Sequence, residues 1–361
     1  MKVAQTIAGE SEDEIGRDFA SRGWTDHLPV TVPTQDRVDH FLAAVDADPD
    51  EVLLAVEESR REVTVRLAAV NAVLAGCAPE QFRVVVAAVR GWADSRWGSG
   101  DRTYFYMSNA STGGAAQLTV VNGPVRGELG MNSGTNVYAP VAHANVAIGR
   151  ALRLIIRNVL GFLPSTLDQA TQGHPGKAGF CIAENEEQSP WEPLHVERGF
   201  AAGSSTVMVM SARGPEPVEN RMSGSAEGVL FTIADTLSRL GAMVPGGPVV
   251  VVMGPEHADL VGSKHGWSKQ EVKQYLYENF RRPVADLERA GLAIRPDPLR
   301  DRSEGGTAYR YGARCPDDIA LIVAGGRNAG ISSVITSWCY STPPGEFILS
   351  PVEQRSGKAD K

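Results

Sequence analysis

Apolar positions in this chain keep two rhythms. From Asp50 the run D-E-V-L-L-A-V-E-E-S-R-R-E-V-T-V-R-L-A-A-V-N-A-V-L-A-G repeats apolar residues at three and four. With acid early and Gly76 as a stop, it predicts one long helix. Pro79-Glu80 opens a second, Q-F-R-V-V-V-A-A-V-R-G-W. From Gln117 the texture changes to short apolar runs, Q-L-T-V-V-N-G-P, S-T-V-M-V-M-S-A, P-V-V-V-V-M-G-P and D-I-A-L-I-V-A-G-G, each read as a strand. Between them N-V-A-I-G-R-A-L-R-L-I-I-R-N, G-V-L-F-T-I-A-D-T-L-S-R-L and S-K-Q-E-V-K-Q-Y-L-Y-E-N-F read as helices. This alternation predicts an α/β fold with mostly buried strands behind an N-terminal helical region.

Two of the strands run into the same punctuation. Gly123-Pro124 and Gly254-Pro255 stand 131 residues apart, each after an apolar strand and each before a Leu, a Gly/Ser/Asn loop and a helix. The spacing is too long for a solenoid repeat. It indicates two duplicated α/β halves, or else the coincidence of a strand and a Gly-Pro turn. The expected organisation is an irregular arm at 1–35, a first half at 36–215, a second at 216–350 and a frayed polar tail at 351–361.

Composition narrows the partners. Charged residues are 22% and apolar residues 42% of 361, with a net charge of −8. No global basic field exists to hold a phosphate backbone, so nucleic acid is not expected. The apolar segments are too short or too charged to span a bilayer, and the amino terminus lacks the apolar core of a signal peptide. Cys77, Cys181, Cys315 and Cys339 form no C-x-x-C pair, which fits reduced thiols in a cytoplasm.

Chemistry concentrates in one stretch. Gly179 to Phe200 holds Cys181, five glutamates, His195 and Arg198, broken by Pro190 and Pro193. Cys181 is a candidate nucleophile if neighbouring cations lower its pKa, or an inert buried thiol. His195 backed by Glu197 or Glu192 is a candidate acid or base. His195 and Glu197, with Glu184, Glu186 or Glu187, also offer nitrogen and oxygen ligands to a metal, without a specific ligand spacing. No nicotinamide or flavin is expected, because no glycine run has the dinucleotide order.

Arg150, Arg153 and Arg157 share one helix face, and such a row needs carboxylates or an anionic ligand. The glutamates of the 179–200 stretch and a substrate carboxylate are the alternatives. His174 and Lys177, in T-Q-G-H-P-G-K, present a loop to the same region. His257 and His265 flank the second Gly-Pro turn, at the strand end where open α/β sheets take ligands. The glycine turn V-A-G-G-R-N-A-G could form an anion-binding nest.

Several of these segments together, G-W-T-D-H-L-P-V-T-V-P-T, N-A-V-L-A-G-C-A-P-E, V-N-G-P, A-N-V-A-I-G-R-A-L-R-L and T-Q-G-H-P-G-K through L-H-V-E-R-G-F, are similar to a family of bacterial proteins. Its members are fused to, or encoded beside, a small protein with a Sec/Cys-Gly-Ser-Cys motif, the UGSC family. The resemblance covers about residues 20–210 and implies a thiol-dependent step such as reductive cleavage or carbon–sulfur bond chemistry. This chain has no C-G-S-C, so the resemblance implies a cysteine- or selenocysteine-bearing partner, or a member that works without one.

The expectation is therefore an oligomeric enzyme, or the large subunit of one, acting on a small carboxylate-bearing substrate. Its residues would be Cys181, His195, Glu184, Glu187 and Glu197 for chemistry and Arg150, Arg153, Arg157, His174 and Lys177 for binding. The alternatives are a non-catalytic scaffold for a partner's thiol and a metal-dependent lyase or hydrolase.

Overall fold

A computed structural model describes residues 11–95, 104–243, 246–292, 295–339 and 342–353. The described residues begin with α1 (Glu12–Ser21) and α2 (Gln35–Leu42), so the expected irregular arm contains a helix capped by Ser11. The predicted long helix from Asp50 is instead a hairpin, β1 (Val52–Val56) and β2 (Arg61–Thr64), followed by α3 (Val65–Leu74). Arg60 turns the hairpin at φ 51°, and Thr64 accepts from the Leu67 N–H to start the helix. The β-branched residues Val52, Val56, Val63 and Thr64 favour the pleat, and helical spacing alone did not distinguish the two outcomes.

The first half follows as α4 (Phe82–Asp94), α5 (Tyr104–Ala110), β3 (Ala116–Asn122), α6 (Val125–Glu128), α7 (His143–Leu154), β4 (Cys181–Ala183), α8 (Leu194–Glu197) and β5 (Ser205–Ala212). The second comprises β6 (Glu216–Glu219), α9 (Ala226–Leu237), α10 (Leu240–Met243), β7 (Val249–Met253), α11 (Pro255–Ala258), α12 (Lys269–Asn279), β8 (Arg281–Pro283), α13 (Val284–Arg289), β9 (Asp301–Glu304), β10 (Thr307–Tyr311), β11 (Ile319–Val323), β12 (Ile331–Thr336) and β13 (Ile348–Val352). The last residues of the expected tail, 354–361, lie outside the described residues, while Pro351 and Val352 belong to β13. No helix among the described residues is long and apolar enough to cross a membrane.

Two mixed four-stranded sheets dominate, in the orders β13-β5-β3-β4 and β6-β12-β7-β11. β3 pairs parallel with β4 and antiparallel with β5, and β7 pairs parallel with β11 and antiparallel with β12. The outer strands are exchanged: β6 leaves β5 to edge the second sheet, and the C-terminal β13 returns to edge the first. Leu118, Val120, Met208 and Met210 of one sheet pack on Val250, Val252, Ile322 and Ile335 of the other, so the sheets lie face to face. α4 and α7 cover the outer face of the first sheet, with α3 packed on them, and α9 and α12 cover that of the second. The result is a four-layer α/β/β/α molecule in which strands are buried on both faces.

One hydrogen bond recurs at the exits of β4 and β11, offset by one residue from the Gly-Pro match. Glu184 N donates to Val121 O and Ala324 N donates to Met253 O, both at 3.1 Å. Val121 thus corresponds to Met253, and Asn122 to Gly254. Asn122 extends β3 by one residue beyond the point where β7 ends. Gly123 accommodates it at φ 83°, whereas Gly254 sits at φ −65°. Alternation along β3 then points Asn122, like Leu118 and Val120, into the layer between the sheets.

Candidate functional site

The apolar interlayer core ends, at the carboxyl ends of β3 and β4, in polar side chains. Asn122, Glu184, His195 and Thr206 are all 1% exposed or less. Asn122 Nδ2 donates to Glu184 Oε2, which also receives the Leu194 N–H at 3.0 Å. Thr206 stands opposite Asn122 in the β3–β5 register. Glu186 takes the Gly123 N–H at 2.6 Å and pairs with Arg126 at 2.9 Å. Arg126, itself buried, also donates to the Glu184 carbonyl at 2.7 Å and to both oxygens of Glu187.

His195 enters this cluster from the one-turn α8, which Pro193 starts. Its Nε2 faces the Ala202 carbonyl at 3.4 Å, and its Nδ1 lies 3.8 Å from Glu186 Oε1. A carbonyl only accepts, so in the neutral ring the proton sits on Nε2 and Nδ1 carries the lone pair. Four buried atoms here have no hydrogen-bond partner: Asn122 Oδ1, Glu184 Oε1, His195 Nδ1 and Thr206 Oγ1. Such atoms are costly unless something fills the bond, and their concentration in one place marks a site.

Burial pushes the Glu184 carboxyl up to about 7, against the opposing pull of Lys269, the Leu194 N–H and Asn122. Its Oε2 is occupied by two donors, so a proton on this carboxyl resides on Oε1, the bare oxygen. Lys269 and Lys273, one turn apart on α12 and both buried, come from the second half and pair with Glu197, each at 2.7 Å. Those lysines hold Glu197 below the usual carboxylate range despite burial. The backing expected for His195 from Glu197 or Glu192 is therefore absent. Glu186 is the adjacent carboxylate instead.

The other expected residues are placed elsewhere. Cys181 points to the helix-facing side of β4, packed in the same apolar cluster as Cys77, and burial pushes its thiol up to about 12. A thiol raised that far above neutrality forms almost no thiolate, the species that acts as nucleophile. Arg150 holds Asp26 through two bonds, at 2.8 and 2.7 Å, and the Pro29 carbonyl at 2.9 Å. Arg153 and Lys177 both pair with Asp168. Arg150 and Arg153 are thus met by aspartates of the arm and of the loop after α7, not by the glutamates of the 179–200 stretch. Arg157 makes no ion pair among the described residues, and its Nε is buried without a partner.

A cleft of about 20 Å³ between α7 and the 176–180 loop includes Arg153 and Lys177, but has room for little more than a water. His174 bridges the Ala212 carbonyl and the Gly176 N–H. His257 bridges Ser332 Oγ at 2.7 Å and the Asn220 carbonyl at 2.9 Å, and exposed His265 contacts the Gly224 carbonyl. The N–H of Gly325, in the expected anion nest, is taken by the Ser133 carbonyl. Among the described residues no three His, Cys, Asp or Glu side chains converge as metal ligands would.

Sequence reasoning missed Asn122, Arg126, Thr206 and Lys269. The available signal was the polar Asn122 ending an apolar strand just before the first Gly-Pro turn. The chain matches no protein-family model, and no curated protein is significantly similar to it.

Proposed function

We propose that this protein is an enzyme, or the large subunit of one, that transfers a proton to or from a small substrate, with Glu184 and His195 as its acid–base pair. The observation that carries this reading is Glu184: a fully buried carboxyl pushed up to about 7, with one oxygen saturated and the other bare. A group poised near the working pH both gives and takes a proton readily. His195 Nδ1 supplies a second proton-accepting position in the same cluster. Asn122 and the Leu194 N–H hold Glu184 in place, and Arg126 holds Glu186 beside His195.

Loop 186–193 closes the site. Trp191 Nε1 donates to the Trp267 carbonyl at 2.8 Å, which fastens this loop to the second half. In this reading the segment lifts to admit the substrate, and its return excludes water from the reaction.

The test is an infrared titration of the Glu184 carboxyl, assigned by Glu184→Gln, together with a screen for solvent deuterium entering a metabolite mixture. The reading expects titration near neutrality and exchange that disappears in Glu184→Gln and His195→Gln. A Glu184 that titrates in the ordinary carboxylate range sinks it.

A second reading follows the resemblance to UGSC-associated proteins. The burial of Cys181 favours it in one respect, since sulfur chemistry at this site would have to use a partner's thiol. Activity that appears only when such a partner is supplied, and survives both substitutions, would assign the chain a scaffold role.

A further inference from the structure

The hydrogen-bonding capacity of the Glu184 cluster is one-sided. Its fixed donors are consumed internally: Asn122 Nδ2 and the Leu194 N–H by Glu184, the Gly123 N–H by Glu186, and Arg126 by Glu186, Glu187 and two carbonyls. Turning the Asn122 amide round would aim its oxygen at carboxylate oxygens, so Oδ1 is the atom left over. Of the four bare atoms, Asn122 Oδ1 is an acceptor, as is His195 Nδ1 in the neutral ring with its proton on Nε2. Glu184 Oε1 becomes an acceptor once ionised, and only the Thr206 hydroxyl donates or accepts freely.

Charge points the same way. Glu186 and Glu187 share Arg126, the Glu184 carboxyl forms no ion pair among the described residues, and Lys269, whose charge draws that carboxyl down, is itself paired with Glu197, as Lys273 is with Glu197 and Asp317. The second half has Ala324 and Gly254 at the positions of Glu184 and Asn122, so the feature belongs to one half.

Resting on the acid–base reading above, we propose that the site takes its substrate through a primary amine, bound as the ammonium, rather than through a carboxylate. An ammonium brings three N–H donors and no acceptor, which suits Asn122 Oδ1, Glu184 Oε1 and His195 Nδ1. A carboxylate would find the Thr206 hydroxyl and otherwise oxygen or lone pairs, at the cost of a buried unmatched charge. Of the arginines expected to hold such an anion, Arg150 and Arg153 are already engaged by Asp26 and Asp168.

Thermal denaturation of the full chain at about pH 8, above the Glu184 value of about 7, tests this with methylammonium chloride, sodium acetate and sodium chloride at matched ionic strength. Methylammonium is expected to raise Tm above the sodium chloride reference and acetate is not. In Glu184→Gln the amide oxygen takes the place of Oε2 with its two donors, and an NH2 stands where Oε1 was. That variant is expected to keep its fold by circular dichroism and to lose the methylammonium shift. Stabilisation of the wild type by acetate, or a methylammonium shift that persists in Glu184→Gln, overturns the substrate class. If that happens while Glu184 still titrates near neutrality, the acid–base reading stands without it. If Glu184 is ionised throughout, both fall.

Discussion

Asn185 donates its backbone N–H to the Val323 carbonyl at 2.7 Å, which ties the exit of β4 to the exit of β11. The polar cluster therefore sits on the seam between the two sheets, and the second half contributes to its electrostatics through Lys269 on α12. Lys269 draws the Glu184 carboxyl down while burial raises it. Lys269→Met is expected to move the Glu184 titration to higher pH. Lys273→Met, which removes a charge that pairs with Glu197 and Asp317, is expected to leave it in place. Infrared titration of the two variants separates these outcomes, and equal shifts would refute a specific role for Lys269.

Glu184 also makes stability depend on pH. Its folded value of about 7 lies above the ordinary 4.5, so the native state binds more protons than the unfolded chain between those values. Unfolding free energy attributable to this group therefore falls as pH rises through that window, by on the order of 2–3 kcal/mol. Below it the penalty is absent. Gln cannot ionise, so the stability of Glu184→Gln relative to wild type should rise from pH 4.5 to 7.5. Chemical denaturation across that range reads the difference directly, and a flat difference would contradict it.

The four cysteines should separate into two classes. Cys77 and Cys181 are buried, and Cys315 and Cys339 are partly exposed. Iodoacetamide at neutral pH is expected to modify the latter pair first, with Cys181 protected until the chain unfolds. Peptide mass spectrometry of a labelling time course checks the order. Rapid modification of Cys181 in the folded protein would restore it as a reactive thiol.

Arg150 braces the arm. Its removal leaves Asp26 without the guanidinium that holds its carboxyl below the usual range and frees the Pro29 carbonyl. Arg150→Ala should cost about 1–3 kcal/mol, with loss localised to the arm. Hydrogen exchange should quicken across 24–34 more than in the sheets.

The two turn glycines are predicted to differ. A Cβ on either would overlap a neighbouring carbonyl oxygen, that of Ser204 for Gly123 and of Ile331 for Gly254. Gly123 alone has φ 83°. Gly254→Ala should cost about 1–3 kcal/mol through overpacking, and Gly123→Ala about 1 kcal/mol more. Equal losses in denaturant melts would show that backbone conformation contributes nothing at Gly123.

The sequence by itself determined much of the local structure after Gln117. Runs such as V-V-V-V-M can bury both faces of a strand, and the spacing of Arg150, Arg153 and Arg157 puts them on one helix face. The alternation of strand and helix was enough for the α/β class. Periodicity did not separate helix from hairpin at 52–64, where β-branched residues and one left-handed turn decided the outcome. The tertiary structure alone decided which groups meet. Asp26 and Asp168, not the nearby glutamates, reach the arginines; Glu186, not Glu197, stands beside His195; and β6 and β13 cross to the opposite sheets. Local patterns encode period and propensity, whereas these pairings depend on chain segments brought together by packing. A single residue, Asn122, shows the difference: in the sequence it is one letter before a Gly-Pro turn, and in the folded chain it turns a polar amide into the layer between two sheets.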